Sequence, residues 1–119
     1  MRTLRPFLVL LFAMALVGCA TKNPFPNVTV YGSSIKIYRV IDSQTADGVP
    51  EVVVSGASVA LNDRSARYRA VWFDQQSRPI ETVVSSWTEM TLQAERPFNL
   101  RMVGPGAHAR RYQVEIEVL

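Results

Sequence analysis

Beyond Cys19 no stretch of this chain sustains apolar residues at helical spacings of three and four, so an amphipathic helix has nowhere to form. Short β-branched and aromatic runs, punctuated by turn residues, take its place. Val28-Thr29-Val30-Tyr31 ends in Gly32-Ser33-Ser34, and Ile35 to Ile41 follows as a second run rich in strand formers. Asp42 to Gly48 reads as a turn region. Val49 to Leu61 carries Val52-Val53-Val54 and Val59-Ala60-Leu61, with Gly56 between them. A glycine inside a strand marks a bulge or a close approach by another backbone.

The later segments alternate more clearly. In Arg67 to Phe73, Tyr68, Ala70 and Trp72 share one face and are the expected core positions. Ile80 to Val84 and Glu89 to Ala94 are further candidate strands, and Phe98, Leu100 and Met102 recur at spacing two. Gly104-Pro105-Gly106 breaks the chain. After it Tyr112, Val114, Ile116 and Val118 alternate with Gln113, Glu115 and Glu117. About seven short strands separated by turns imply an all-β fold, a small antiparallel β-sandwich of immunoglobulin-like type, with a small barrel as the alternative closure.

The first residues follow a different logic. Arg2 and Arg5 precede the uninterrupted apolar run Phe7 to Val17, the anatomy of a secretory signal peptide, and the run is short for a membrane span. It closes on Leu16-Val17-Gly18-Cys19, an aliphatic residue and two slim ones before cysteine, which is the lipobox pattern of exported lipoproteins. A thiol is required there because the diacylglyceryl group is attached to sulfur. Cys19 is the one cysteine of the chain, so it is the expected lipidation site and no internal disulfide is available. The chain therefore divides into a signal peptide (1–18), a lipidated cysteine with tether (19–27) and a β-sandwich domain (28–119). Ala20, rather than Asp, follows the cysteine and favours the periplasmic face of the outer membrane.

Removal of residues 1–18 takes Arg2 and Arg5 away and lowers the formal charge from +3 to +1. Nothing in that balance calls for a nucleic-acid partner. Catalytic groups are equally scarce. His108 is the only histidine and sits beside Gly104-Pro105-Gly106, while no serine lies in a nucleophile-elbow motif. One histidine and scattered carboxylates do not compose a zinc site. Asp42 to Gly48 lacks the acidic closing ligand of a calcium loop. The sequence thus assigns no catalytic residue, no metal and no cofactor. Its candidate partner surface is Arg64, Arg67 and Arg69, read as a basic patch toward lipid phosphates or an acidic envelope partner, together with Trp87 as an amphipathic anchor.

Tyr38-Arg39-Val40-Ile41-Asp42-Ser43, then Tyr68-Arg69-Ala70-Val71-Trp72-Phe73-Asp74, then Trp87 and Thr91-Leu92 resemble the YcfL-type small lipoproteins of proteobacteria. Trp-Phe-Asp is the most specific part, and the resemblance extends over most of residues 35–118. This chain departs at Asp74-Gln75-Gln76-Ser77, where relatives carry Asp-x-x-Gly. The resemblance implies a periplasmic lipoprotein without an established activity. Two functions fit it: a non-enzymatic binding module for an envelope protein or glycan, or an outer-membrane lipoprotein anchor of a type VI secretion apparatus. The second would need a protruding loop, and only Asp42–Gly48 and Ser85–Glu89 are long enough to supply one.

Overall fold

The computed structural model describes residues 24–82 and 85–119; the segment read as a signal peptide (1–18) and Cys19 lie outside these residues. In chain order the strands are β1 (Val28–Tyr31), β2 (Ile35–Gln44), β3 (Pro50–Ser58), β4 (Arg64–Phe73), β5 (Pro79–Ile80), β6 (Thr88–Leu92), β7 (Pro97–Val103) and β8 (Arg111–Val118). No α-helix occurs among the described residues. One sheet runs β1-β8-β4, with β5 and β6 sharing the far edge of β4; the other runs β2-β3-β7. The result is the β-sandwich that the alternation requires, with eight strands.

Every pairing is antiparallel except one. β1 lies parallel to β8, with Val28 beside Val114 and Val30 beside Ile116. The last strand is thus central in its sheet and fixes the first. Phe25, within the segment read as tether, packs half-buried against the core, and its carbonyl accepts a 3.1 Å hydrogen bond from Val28 N. The domain begins a few residues earlier than the strand pattern implies.

Inward positions are those the alternation selects. Ala70 and Trp72 of β4, Val114 and Ile116 of β8, Val52 and Val54 of β3, and Leu100 and Met102 of β7 form the core cluster. Trp72 is its largest fully buried side chain at 1% exposure, and its ring tilts against Tyr112 at a centroid separation of 5.6 Å.

In β2 the alternation breaks, for a visible reason. Ile37 pairs with Gly56 and Arg39 with Ser55, so Tyr38 is an extra residue and the strand carries a bulge. Ile35 and Ile37 face the core before the bulge, and Val40 does so after it. A methyl group on Gly56 would stand 2.5 Å from the Lys36 carbonyl and 2.8 Å from the Phe98 ring. Close approach is the meaning that applies at Gly56; the bulge lies opposite it, in the paired strand β2.

Of the Ile80–Val84 segment, Ile80 lies in β5 (Pro79–Ile80), opposite Trp72, while Glu81 and Thr82 are outside the strand and Val83 and Val84 lie outside the described residues. β6 takes the same edge of β4 from Tyr68 down to Arg64. The preceding turn is held by its own first side chain. Asp74 Oδ1 accepts from both Gln76 N and Arg78 N at 2.9 Å, and Ser77 takes φ of 62°, a left-handed conformation that glycine adopts at less cost.

Trp72→Ala is expected to lower stability by about 3–5 kcal/mol, a large fraction of what a small domain possesses. Chemical denaturation measures this directly. A loss below about 1 kcal/mol would mean that the indole does not fill the inter-sheet space.

Candidate functional site

Pleating that sends Ala70 and Trp72 inward sends Arg67, Arg69, Val71 and Phe73 outward. Register then decides which side chains meet them. Arg67 stands opposite Glu117 and Arg69 opposite Glu115 on β8. Both arginines use Nε and Nη2 together on one carboxylate oxygen. Arg67 bonds Glu117 Oε2 at 2.9 and 2.8 Å, and Arg69 bonds Glu115 Oε2 at 3.2 and 3.1 Å. Glu89 on β6 flanks Arg67 on its other side. Beyond Glu115, Thr29 continues the row and accepts a 2.8 Å bond from Gln113.

Trp87, just before β6, lies over this row. The guanidinium carbons of Arg67 and Arg69 are each 4.4 Å from its ring centroid. The indole is half-buried, so one part of its surface is spent on the arginines and the rest stays in reach of solvent. Each exposed pairing here is modest, about 0.2–1 kcal/mol per ion pair and ~0.5–1 per cation–π contact. Their joint effect is geometric: two guanidinium planes are oriented by glutamates and in turn hold one indole in place. At the far end of the same face Arg111 lies 5.8 Å from the Phe73 ring centroid.

The sequence-derived surface is therefore partly assembled and partly divided. Arg67, Arg69 and Trp87 come together. Arg64 does not join them, since it shares the pleat of Ala66 and stands exposed at the start of β4. The reading of a basic patch changes as well, because Glu115 and Glu117 neutralise the two arginines that meet Trp87. What faces solvent is a charge-balanced platform built around an aromatic ring. The glutamates were visible as the polar half of β8; their partnership, across some fifty residues of chain, was not.

Elsewhere the polar groups serve local structure. Glu51 accepts from Ser43 at 2.9 Å and from Arg101, and these bonds hold its carboxylate below the ordinary range. His108 is exposed in the loop after Gly106. Among the described residues no group of three histidine, cysteine or acidic side chains is placed to hold a metal. A cleft of about 260 Å³ opens between β4 and β7, bordered by Arg69, Ser86, Thr88 and Met102. It is below the ~300–1,000 Å³ common for small-molecule sites.

The two segments read as possible loops are largely taken up by strand and turn. Thr45 to Val49 closes as a tight turn, with Gly48 N on Thr45 O at 3.0 Å and Thr45 N on Val49 O at 2.8 Å. Ser85 to Glu89 is occupied by Trp87 lying on the arginines and by the start of β6.

The family model for DUF1425, a protein family of unknown function, matches residues 27–118, nearly the whole described domain. The chain belongs to the DUF1425 family. A crystal structure of a DUF1425 member from Shewanella sp. pv-4 is similar with a TM-score of 0.61 at 20% identity, over 69% of this chain and 75% of that one. Campylobacter jejuni cj0090 is similar with a TM-score of 0.64 at 18% identity, over 78% of this chain and 98% of that one. At these identities the likeness is one of fold. No curated protein matches the chain.

Tyr112, on the inner face beside Trp72, joins the two sheets by donating its hydroxyl to Asp42 of β2. Burial, and then this bond to a carboxylate, push its phenol from 10.0 up to about 12. A raised pKa means that the folded state favours the neutral phenol. Its stabilising contribution is intact below pH 10 and is lost as pH rises toward about 12. Tyrosinate absorbance followed in wild type and Tyr112→Phe is expected to show one phenol ionising only near pH 12, alongside alkaline unfolding. Ionisation of Tyr112 with an unshifted midpoint would contradict the Asp42 contact.

Proposed function

We propose that this DUF1425 chain is a YcfL-type lipoprotein, held through Cys19 at the periplasmic face of the outer membrane. Its sandwich acts there as a non-enzymatic module that binds another envelope protein or glycan. The observation that carries this reading is the platform of Trp87 on Arg67 and Arg69. Tryptophan and arginine are the side chains that most often concentrate binding energy at protein interfaces. Here both are pre-oriented by Glu115 and Glu117, so little side-chain freedom remains to be lost on association. An aromatic ring flanked by hydrogen-bond donors also matches the way sugars present one apolar face and a rim of hydroxyls.

The same geometry favours a binding module over the two competing roles. A general acid or base needs a perturbed titratable group in a recess, and His108 is exposed in a loop. A secretion anchor that reaches its partner through a loop has no support in the tight Thr45–Val49 turn or in the Trp87 segment.

The test is capture of the tagged, lipidated chain with its partner after crosslinking in cells. Cys19→Ser is expected to lose acylation and leave the membrane fraction or remain unprocessed. Trp87→Ala is expected to reduce partner capture about tenfold or more, the ~1.4 kcal/mol or greater of an interface anchor, while the domain stays folded. His108→Ala is expected to complement a deletion strain fully. Loss of complementation by His108→Ala in a folded, membrane-bound protein would replace the binding module with an enzyme. Membrane fractionation of the Cys19→Ser protein after cleavage at Gly18 would overturn the lipid anchor.

A further inference from the structure

The two sheets meet unequally at their edges. On the side where β1 and β2 lie, a groove of about 390 Å³ runs into the sandwich, walled by Phe25, Val28, Val30, Ile35 and Ile37. All but Val28 are half-exposed although they point at the core. The strand bordering it is amphipathic in another sense. β2 carries Tyr38 at 56% and Ile41 at 44% exposure. Two cations, Lys36 and Arg39, are exposed on β2, with Lys36 Nζ 5.7 Å from the Tyr38 ring centroid. Neither has a carboxylate within ion-pair distance among the described residues, whereas Arg67, Arg69 and Arg101 all do. The strand's own carboxylate, Asp42, is engaged by Tyr112.

Half-exposed aliphatic side chains, an interfacial tyrosine and free cations on one edge are the composition of a surface that rests on lipid headgroups. The chain enters the domain at that edge, because Pro24 borders the groove. Pro24 is five positions after Cys19, and five extended steps reach at most about 18 Å. We infer that the β1–β2 edge docks on the anionic surface of the membrane that holds the anchor, with Lys36 and Arg39 at the phosphates and Tyr38 and Ile41 of β2 at the interface. This inference rests on the lipid anchor at Cys19 proposed above.

It also gives the partner platform a direction. Trp87 lies over Arg67 and Arg69 on β4, across β8 from β1, about 10 Å at two strand spacings. With the β1–β2 edge on the membrane, the platform lies on the outer face of the other sheet, toward the edge turned away from the membrane.

The mature, lipidated protein in vesicles of phosphatidylethanolamine and phosphatidylglycerol tests the inference. Its one native thiol is consumed by the lipid, so a cysteine introduced by Ser33→Cys, between β1 and β2, accepts a single fluorophore; Gln93→Cys labels the opposite edge. Intact mass first establishes the acyl chains. Nitroxide-labelled lipid is expected to quench the label at 33 and leave the label at 93 bright. Removal of each cation, by Lys36→Gln and by Arg39→Gln, is expected to lower the docked-to-upright ratio about fivefold, in vesicles that still hold the protein by its anchor. Equal quenching at both labels, or no response to either cation, overturns the docked orientation and leaves the anchor standing. A bright label at 33 that crosslinks two copies makes the edge a contact between protomers and overturns it as well. Absence of acyl chains overturns the anchor, and the orientation falls with it.

Discussion

The pairing of β4 with β8 is the interaction on which the rest of the molecule depends. Its register sets Ala70 beside Val114 and Trp72 beside Tyr112 on the inner face, and Arg67 beside Glu117 and Arg69 beside Glu115 on the outer one. Side chains alternate with period two, so a slip by one residue would exchange the faces entirely. Two arginines would enter a space that now holds a fully buried tryptophan, at the cost of desolvating unpaired charge. Hydrophobic burial on one face and charge pairing on the other therefore select the same register. Neither sheet edge could be placed without it, because β1 attaches to β8 and β6 to β4.

That central pair also explains how so small a domain separates its two surfaces. β1 is short and parallel, and it leaves the seam toward β2 open over apolar side chains. On the other side β6 brings Trp87 back over the arginines, where the indole is held by groups that are already satisfied. An open apolar edge and an aromatic platform are thus consequences of strand order rather than of added loops. The absence of a disulfide puts the whole weight of stability on packing, and the inter-sheet space filled by Trp72 carries much of it.

Much of this architecture is legible in the chain. Alternation in β8 and in β4 marks the inner faces correctly, from Ile116 to Trp72, because each of those strands has one wet side. Gly56 announces the close approach of another backbone. What periodicity does not carry is phase and pairing. Ile35, Ile37 and Val40 look unpatterned until Tyr38 is seen as an inserted residue. Arg64 looks like the neighbour of Arg67 and Arg69, yet it lies on the opposite pleat. The basic patch likewise disappears only when β8 is set beside β4, since a glutamate fifty residues away leaves no local trace. The parallel β1–β8 contact and the division of one β4 edge between β5 and β6 are long-range choices of the same kind.

The central claim, that one register fixes both the core and the platform, is open to a direct measurement. Nuclear Overhauser contacts between β4 and β8 in the isotopically labelled protein report neighbouring backbone protons without reference to side-chain function. The account predicts cross-strand contacts linking Ala70 with Val114, Tyr68 with Ile116 and Trp72 with Tyr112. A set displaced by one residue, linking Arg69 with Val114 and Val71 with Tyr112, would contradict it.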